Sequence, residues 1–173
     1  MTNRRKIIND PVYGFISIPN DLIYDLMGHQ WFQRLRNIRQ LGLSSLVYPG
    51  AVHSRFQHSL GAMYLTGQAV HTLRSKGTEI SAEEEEGVLA AILLHDIGHG
   101  PFSHALEHSL IEDMPHETMS LLIMEELNRS MGGRLTSAIA IFRGEYQRRF
   151  FHDLVTGQMD MDRMDYLRRD SFF

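Results

Sequence analysis

The sequence predicts an all-α fold that is preceded by a short N-terminal β-hairpin. Apolar residues recur at helical spacing in most of the chain after residue 20, and two capping boxes mark helix starts. Alternating β-branched and aromatic residues occur at 12–19, which favours a strand or hairpin there. With 173 residues, the chain is long enough to bury a core. We therefore expect one domain over 1–173, with the hairpin and an arm at 1–19 and a helical core at 20–173.

The first helices are delimited by residues that favour helix ends. Asn20 or Asp21 can cap a helix that runs through Met27. A second apolar stripe at helical spacing extends over 31–41 and ends at Gly42, a residue that readily takes the left-handed conformation after a helix. The sequence thus predicts two consecutive helices before residue 43.

Two capping boxes open the next helices. Ser54 with Gln57 begins one helix, and Ser81 with Glu84 begins another. The second continues through 88–94, which is apolar on every side and is therefore predicted to be buried. Further helical patterns cover the stretches 113–131, 136–142 and from 158 onward.

The composition excludes several classes of protein. The chain has no Cys, so disulfide frameworks, thiolate zinc sites and cysteine nucleophiles are excluded. With 17 basic and 21 acidic residues, the net charge of −4 gives no overall signal for nucleic-acid binding. The longest apolar run, 88–94, is too short to span a membrane. We expect a cytoplasmic protein with no membrane partner.

A His-Asp pair lies where the buried helix is predicted to end. Burial of the ionised carboxylate of Asp96, which follows His95, costs several kcal/mol unless the carboxylate is paired or bound to a cation. The negative end of the helix dipole also favours a cation. Hydrogen bonds to loop amides remain an equally good interpretation of the pair taken alone.

Additional donors elsewhere in the chain favour a metal. His58 offers a second imidazole from an apolar helix face. Three residues could supply a second carboxylate, namely Asp160, Asp162 and Asp165. Two His and two Asp suit Mn, Fe, Ni, Zn or Mg. These residues predict a hydrolase in which one divalent metal ion lowers the pKa of a bound water.

Several stretches together carry a family resemblance. They are Ile8-Asn9-Asp10-Pro11, Phe32-Gln33-Arg34-Leu35-Arg36 with Gln40-Leu41-Gly42, Tyr48-Pro49-Gly50-Ala51 leading into Arg55-Phe56-Gln57-His58-Ser59-Leu60-Gly61, and His95-Asp96-Ile97-Gly98-His99-Gly100-Pro101-Phe102-Ser103-His104 followed by Asp160-Met161-Asp162-Arg163-Met164-Asp165-Tyr166. In these stretches the sequence resembles the HD-domain metal-dependent phosphohydrolases, and in particular their deoxynucleoside-triphosphate triphosphohydrolase branch. The resemblance implies an HD-domain helical bundle.

The resemblance also implies roles for individual residues. The metal ligands would be His58, His95, Asp96 and Asp162, since the register of Asp162-Arg163-Met164-Asp165-Tyr166 selects Asp162. The phosphate channel would be lined by His99, His104 and His116, with Glu107 and Glu117 as partners. Among these, His104 would assist proton transfer at the α-phosphate, and His116 would form an oriented pair with Glu117. The remaining histidines are interpreted as ordinary surface or loop residues: His29, His53, His71, His108 and His152.

The same resemblance implies a nucleotide-binding set. Arg55 would contact a phosphate, Gln40 and Asp170 the sugar 3′-hydroxyl, Leu41 the 2′ side, Tyr166 the sugar face and Arg163 the triphosphate. Simple core packing is an equally good interpretation of Leu41 and Tyr166. Arg163 could instead pair with Asp160 or Glu117. The implied reaction converts a dNTP to the deoxynucleoside and inorganic triphosphate.

Alternatives and further expectations accompany this prediction. The protein could instead hydrolyse another nucleotide or a phosphomonoester. It could also be a non-catalytic module that binds a nucleotide or a nucleic acid, and nucleic acid is the less favoured of these two partners. The resemblance implies a homo-oligomer and a longer family architecture. Some relatives bind a nucleotide activator at the positions of Gln33 and Arg36, but Gly28 replaces an acidic residue there, so no specific activator is predicted.

Overall fold

The N-terminal hairpin is built around one aspartate. A computed structural model describes residues 6–102 and 115–173. In it β1 (Ile7–Asp10) pairs antiparallel with β2 (Gly14–Ser17). The carboxylate Oδ1 of Asp10 accepts hydrogen bonds from the amides of Val12 (2.9 Å) and Tyr13 (3.1 Å), which closes the turn. The predicted hairpin is confirmed, although its first strand lies upstream of the stretch 12–19.

The regular elements after the hairpin are helices in the part of the chain that the structure describes, so the all-α prediction is confirmed. The α-helices are α1 (Asp21–Gly28), α2 (Gln30–Gln33), α3 (Arg55–Ser75), α4 (Ala82–Leu94), α5 (His116–Ser130), α6 (Thr136–Arg143), α7 (Phe150–Val155) and α8 (Met161–Phe172). Both capping boxes are present, with Ser54 at the start of α3 and Ser81 at the start of α4. Sequence periodicity did not predict α7, because its six residues make fewer than two turns.

The predicted single helix over 31–41 is wrong. Here α2 ends at Gln33, a 3₁₀ turn follows, and the backbone at Ile38 is extended. The Ile38 carbonyl accepts from the Arg55 amide (2.8 Å), and the Gln40 amide donates to the carbonyl of His53 (3.0 Å). These bonds to the start of α3 and to the residues just before it replace the bonds that would continue a helix.

The apolar core surrounds α4. Every residue over 87–94 is buried, which confirms the prediction for this helix. The helix packs between α3 and α6, and α3 also packs against α8. This arrangement brings the end of α4, the start of α3 and the start of α8 to one place. Across residues 6–102 and 115–173, the helices lack the combined length and apolarity that a membrane crossing requires.

Candidate metal centre

Two histidines meet where α3 and α4 come together. His58 lies in the first turn of α3 and is fully buried, and His95 follows the last residue of α4. Their Nε2 atoms are 3.3 Å apart. The capping box of Ser54 fixes where α3 begins, and therefore which way His58 points.

Each imidazole uses its other nitrogen in a hydrogen bond that sets the tautomer. In the neutral form, His95 Nδ1 donates to the carbonyl of Ile92 (2.6 Å), and His58 Nδ1 donates to Asp165 Oδ2 (2.7 Å). Both Nε2 atoms then present lone pairs to the same small space. Two lone pairs at this distance repel unless a proton or a metal ion lies between them.

Two carboxylates complete the set of donors. Asp162 Oδ1 lies 3.0 Å from His58 Nε2 and 3.5 Å from His95 Nε2. The carboxylate oxygens of Asp96 lie 3.7 Å and 3.5 Å from the same two nitrogens. One donor atom each from His58, His95 and Asp162 falls within 4.8 Å of the others. The four residues expected to hold a metal are thus neighbours, and three of them, His58, His95 and Asp162, form a group that could hold a metal ion.

The three aspartates near the start of α8 have different surroundings. Asp160 caps the helix, accepting from the amides of Arg163 (2.7 Å) and Gly157 (2.9 Å). Asp162 faces the two Nε2 atoms, whereas Asp165 contacts the Nδ1 atom of His58. Of the three candidates from the sequence, only Asp162 therefore faces the centre.

The charges of the centre favour a cation. Burial by itself would lower the pKa of His58, but its hydrogen bonds to Asp162 and Asp165 raise it to about 10. Burial would raise the pKa of Asp96, whereas the charges of His95 and Arg55 hold it well below its usual range. The low pKa of Asp96 favours its ionised form, and a negative charge at this position favours a cation between the imidazoles.

Arg55 and His99 both contact Asp96. The Arg55 guanidinium pairs with Asp96 Oδ2, and both side chains are buried. His99 Nε2 lies 3.3 Å from Asp96 Oδ1, and burial lowers the pKa of His99. The two predicted phosphate-contacting residues are therefore held at the edge of the metal centre by one of its carboxylates.

The other predicted catalytic residues are adjacent where they are described. The His116 ring stacks on His99, with centroids 3.9 Å apart, and His116 Nε2 lies 3.3 Å from Glu117 Oε1. The expected pair of His116 and Glu117 is therefore in contact. Two further predicted residues, His104 and Glu107, lie outside the described residues.

The predicted sugar-binding residues lie on two segments. Asp162, Tyr166 and Asp170 are spaced four residues apart and share one face of α8. Leu41 and Tyr166 are half-buried, which is compatible with either packing or binding, whereas Arg163 is exposed. The buried Oε1 of Gln40 has no hydrogen-bond partner among the residues that the structure describes.

His53 lies in a loop, as one of the two expected alternatives, but it is buried there instead of exposed at the surface. It is 1% exposed, and its Nε2 lies 2.9 Å from Asp170 Oδ1. Its carbonyl also accepts from the Gln40 amide. His53 therefore contacts both residues that were predicted to bind the 3′-hydroxyl, Gln40 and Asp170. Sequence reasoning missed it because its partner is 117 residues away.

Comparison with known proteins identifies the family. A family model described as the HD domain matches residues 55–170, the segment that contains all four donors of the metal centre. The chain belongs to the HD-domain family. A phosphohydrolase from Bacteroides thetaiotaomicron has a crystal structure that superposes with a TM-score of 0.96 at 61% identity, covering 98% of this chain and 42% of that one.

Two curated relatives are similar over nearly the whole chain. The uncharacterized protein YwfO of Bacillus subtilis is 36% identical over 99% of this chain and 41% of its own length. The human deoxynucleoside triphosphate triphosphohydrolase SAMHD1 is 34% identical over 95% of this chain and 33% of its own length. The chain thus spans between a third and about two fifths of these relatives.

Proposed function

We propose that this HD domain hydrolyses dNTPs to deoxynucleosides and inorganic triphosphate. The observation that carries the proposal is that the Nε2 atoms of His58 and His95 and the carboxylates of Asp96 and Asp162 converge where α3, α4 and α8 meet. His58, His95, Asp96 and Asp162 would hold one divalent ion. When bound, such an ion supplies Lewis-acid activation of water and neutralises charge on phosphate oxygens.

The chain's own residues would bind the triphosphate and manage protons. In the reaction, a water oxygen bonds to the α-phosphorus, the bond from phosphorus to the 5′-oxygen breaks, and a proton reaches the 5′-oxygen. Arg55 and His99, which both contact Asp96, are proposed to contact phosphate oxygens. His116, oriented by Glu117, and His104 are proposed to hold the protons that are exchanged. Exposed Arg163 is proposed to contact the triphosphate.

The deoxyribose would lie between Gln40 and α8. Within residues 6–102 and 115–173 the buried Oε1 of Gln40 has no hydrogen-bond partner, and this supports a role in binding, because such an acceptor costs free energy that a ligand hydroxyl can recover. Asp170 would contact the same 3′-hydroxyl, and Tyr166 would lie against the sugar. Leu41 would then occupy the space of a ribose 2′-hydroxyl, which favours deoxynucleotides. The name of the human relative supports the same substrate class.

A product assay tests the reaction. Purified protein with Mn²⁺ is incubated with each dNTP, and the products are separated by anion-exchange chromatography. Release of inorganic triphosphate together with the deoxynucleoside is the expected result. Release of orthophosphate alone would identify another phosphohydrolase activity, and metal-dependent binding without turnover would identify a non-catalytic nucleotide-binding module.

Leu41→Ala tests how the sugar is selected. We expect the ratio of kcat/KM for a dNTP to that for the matching NTP to fall roughly tenfold, because the smaller side chain admits the 2′-hydroxyl. The control is Leu46→Ala, whose side chain is 78% exposed and is expected to leave the ratio unchanged. If Leu41→Ala only lowers thermal stability and keeps the ratio, Leu41 is a packing residue.

Three further expectations from the sequence stay predictions. They are the homo-oligomer, the cytoplasmic location and the absence of a specific nucleotide activator. Near the positions considered for an activator, the Arg36 Nε donates to Gln33 Oε1 at 2.8 Å. Light scattering after size-exclusion chromatography measures the oligomeric state, with and without added GTP.

A further inference from the structure

A buried chain of charged side chains connects the N-terminal hairpin to the metal centre. We propose that Asp165, Arg169 and Asp10 position the imidazole of His58, so that the affinity for the metal depends on the hairpin. The inference rests on the proposed metal centre, but it does not depend on which nucleotide is hydrolysed. The three residues are positioning residues, since they act on the metal only through His58.

The first link joins His58 to Asp165. Asp165 Oδ2 lies 2.7 Å from His58 Nδ1, and both side chains are fully buried. A carboxylate can only accept at this position, so it keeps the ring proton on Nδ1 and leaves Nε2 free for the metal. This contact also fixes the rotation of the ring.

The second link joins Asp165 to Arg169, one turn along α8. Arg169 Nε donates to Asp165 Oδ2 at 2.9 Å, and its Nη2 donates to Asp165 Oδ1 at the same distance. The guanidinium therefore grips both carboxylate oxygens, which prevents Asp165 from rotating away from His58. Arg169 itself is fully buried.

The third link joins Arg169 to the hairpin. Arg169 Nη1 donates to Asp10 Oδ2 (2.9 Å), and Asp10, at the end of β1, is 2% exposed. The same carboxylate accepts from the Val12 and Tyr13 amides in the turn. A buried guanidinium needs more than one acceptor, and Asp10 supplies the second. The hairpin therefore holds the far end of the chain of charges.

A glycine in α3 leaves room for this chain of charged side chains. A Cβ atom on Gly61 would overlap Asp165 Oδ1 and Arg169 Nη2. Glycine thus leaves the room in which the carboxylate and the guanidinium meet beside His58. The charged side chains are therefore buried where α3, α8 and β1 meet, unlike those of a surface ion pair.

Amide substitutions test the proposal by measuring Mn²⁺ affinity without nucleotide. In Asp165→Asn, the amide N–H must face either His58 Nδ1 or Arg169, both of which are donors. We expect Mn²⁺ affinity to fall about 10- to 100-fold, as it does when groups that orient a metal ligand are changed. Asp10→Asn keeps the acceptor for the turn and is expected to lower the affinity about tenfold.

The matched control is the same substitution at an exposed ion pair. Asp25, 3.3 Å from Arg134, is remote from the chain of charges, so Asp25→Asn should retain wild-type affinity. Dissociation constants come from competition with a chelator, and unfolding temperatures in EDTA show that each variant is folded. Excess Mn²⁺ should restore the hydrolysis lost in Asp10→Asn, which a general loss of structure would not allow.

The outcomes separate this inference from the proposed reaction. If folded Asp165→Asn and Asp10→Asn bind Mn²⁺ as tightly as the wild type, the inference is wrong, whatever the substrate. If the wild type binds Mn²⁺ but leaves dNTPs intact, the proposed substrate is wrong, and weaker Mn²⁺ binding by the two variants still supports the inference. If the Asn variants do not fold, the Mn²⁺ affinity of Arg169→Lys tests the inference instead. Lysine keeps the positive charge but cannot form the bidentate interaction with Asp165, so unchanged affinity in that variant overturns the inference.

Discussion

Asp162→Ala is expected to abolish metal binding and to lower hydrolysis at least about a thousandfold while the protein stays folded. The carboxylate of Asp162 lies close to both Nε2 atoms, and its side chain is one-third exposed, so its loss leaves no large cavity. A bound metal supplies several kcal/mol of transition-state stabilisation. About 4 kcal/mol corresponds to a thousandfold change in rate.

Asp160→Ala provides the matched control for this prediction. Asp160 lies two residues away, but it caps α8 and does not face the two imidazole Nε2 atoms. Its replacement is expected to cost about 1 kcal/mol of stability and to leave Mn²⁺ bound. Metal content after dialysis, urea unfolding and the nucleotide assay measure the three effects. Retention of Mn²⁺ by Asp162→Ala would contradict the assignment of this ligand.

Gly61→Ala is expected to destabilise the protein by about 3–5 kcal/mol. In an exposed helix, glycine to alanine stabilises by about 1 kcal/mol. At Gly61, however, the added methyl group would overlap the Asp165 carboxylate and the Arg169 guanidinium. Separating a buried ion pair leaves uncompensated charges, and this cost exceeds the gain in helix propensity.

Gly67→Ala, on the same helix, is the control for Gly61→Ala. Its Cβ would lie 3.9 Å from Leu89 Cδ2, an ordinary contact, so we expect unchanged or slightly increased stability. Urea unfolding of both metal-free variants measures the difference in free energy. Equal stability of the two variants would show that the buried charges can rearrange around an alanine.

Local signals explain which parts of the fold could be predicted from the sequence. The capping boxes at Ser54 and Ser81 and the apolar stretch 88–94 are each contained within one helix, and the structure has them all. The prediction of one helix over 31–41 failed because Ile38 and Gln40 form backbone hydrogen bonds to the first residue of α3 and to His53 just before it. A periodic pattern cannot reveal a competing partner that lies elsewhere in the chain.

The candidate site shows the same division between local and distant information. His58, His95 and Asp96 could be singled out from their positions in single helices, whereas choosing Asp162 needed the family resemblance. The roles of Asp165 and Arg169 were not foreseen, because they depend on contacts with residues 107 and 159 positions away. Such pairs on different elements are fixed by how the helices pack.

The bond between Arg169 and Asp10 has a consequence for synthesis on the ribosome. Its two residues lie near opposite ends of the chain, 159 positions apart, so the contact forms only after α8 has emerged. A nascent chain that already contains α3 and α4 still lacks Asp162 and the aspartate that orients His58. The last donor of the metal centre and the contact that orients His58 are therefore both added by α8, the last helix to be made among the described residues.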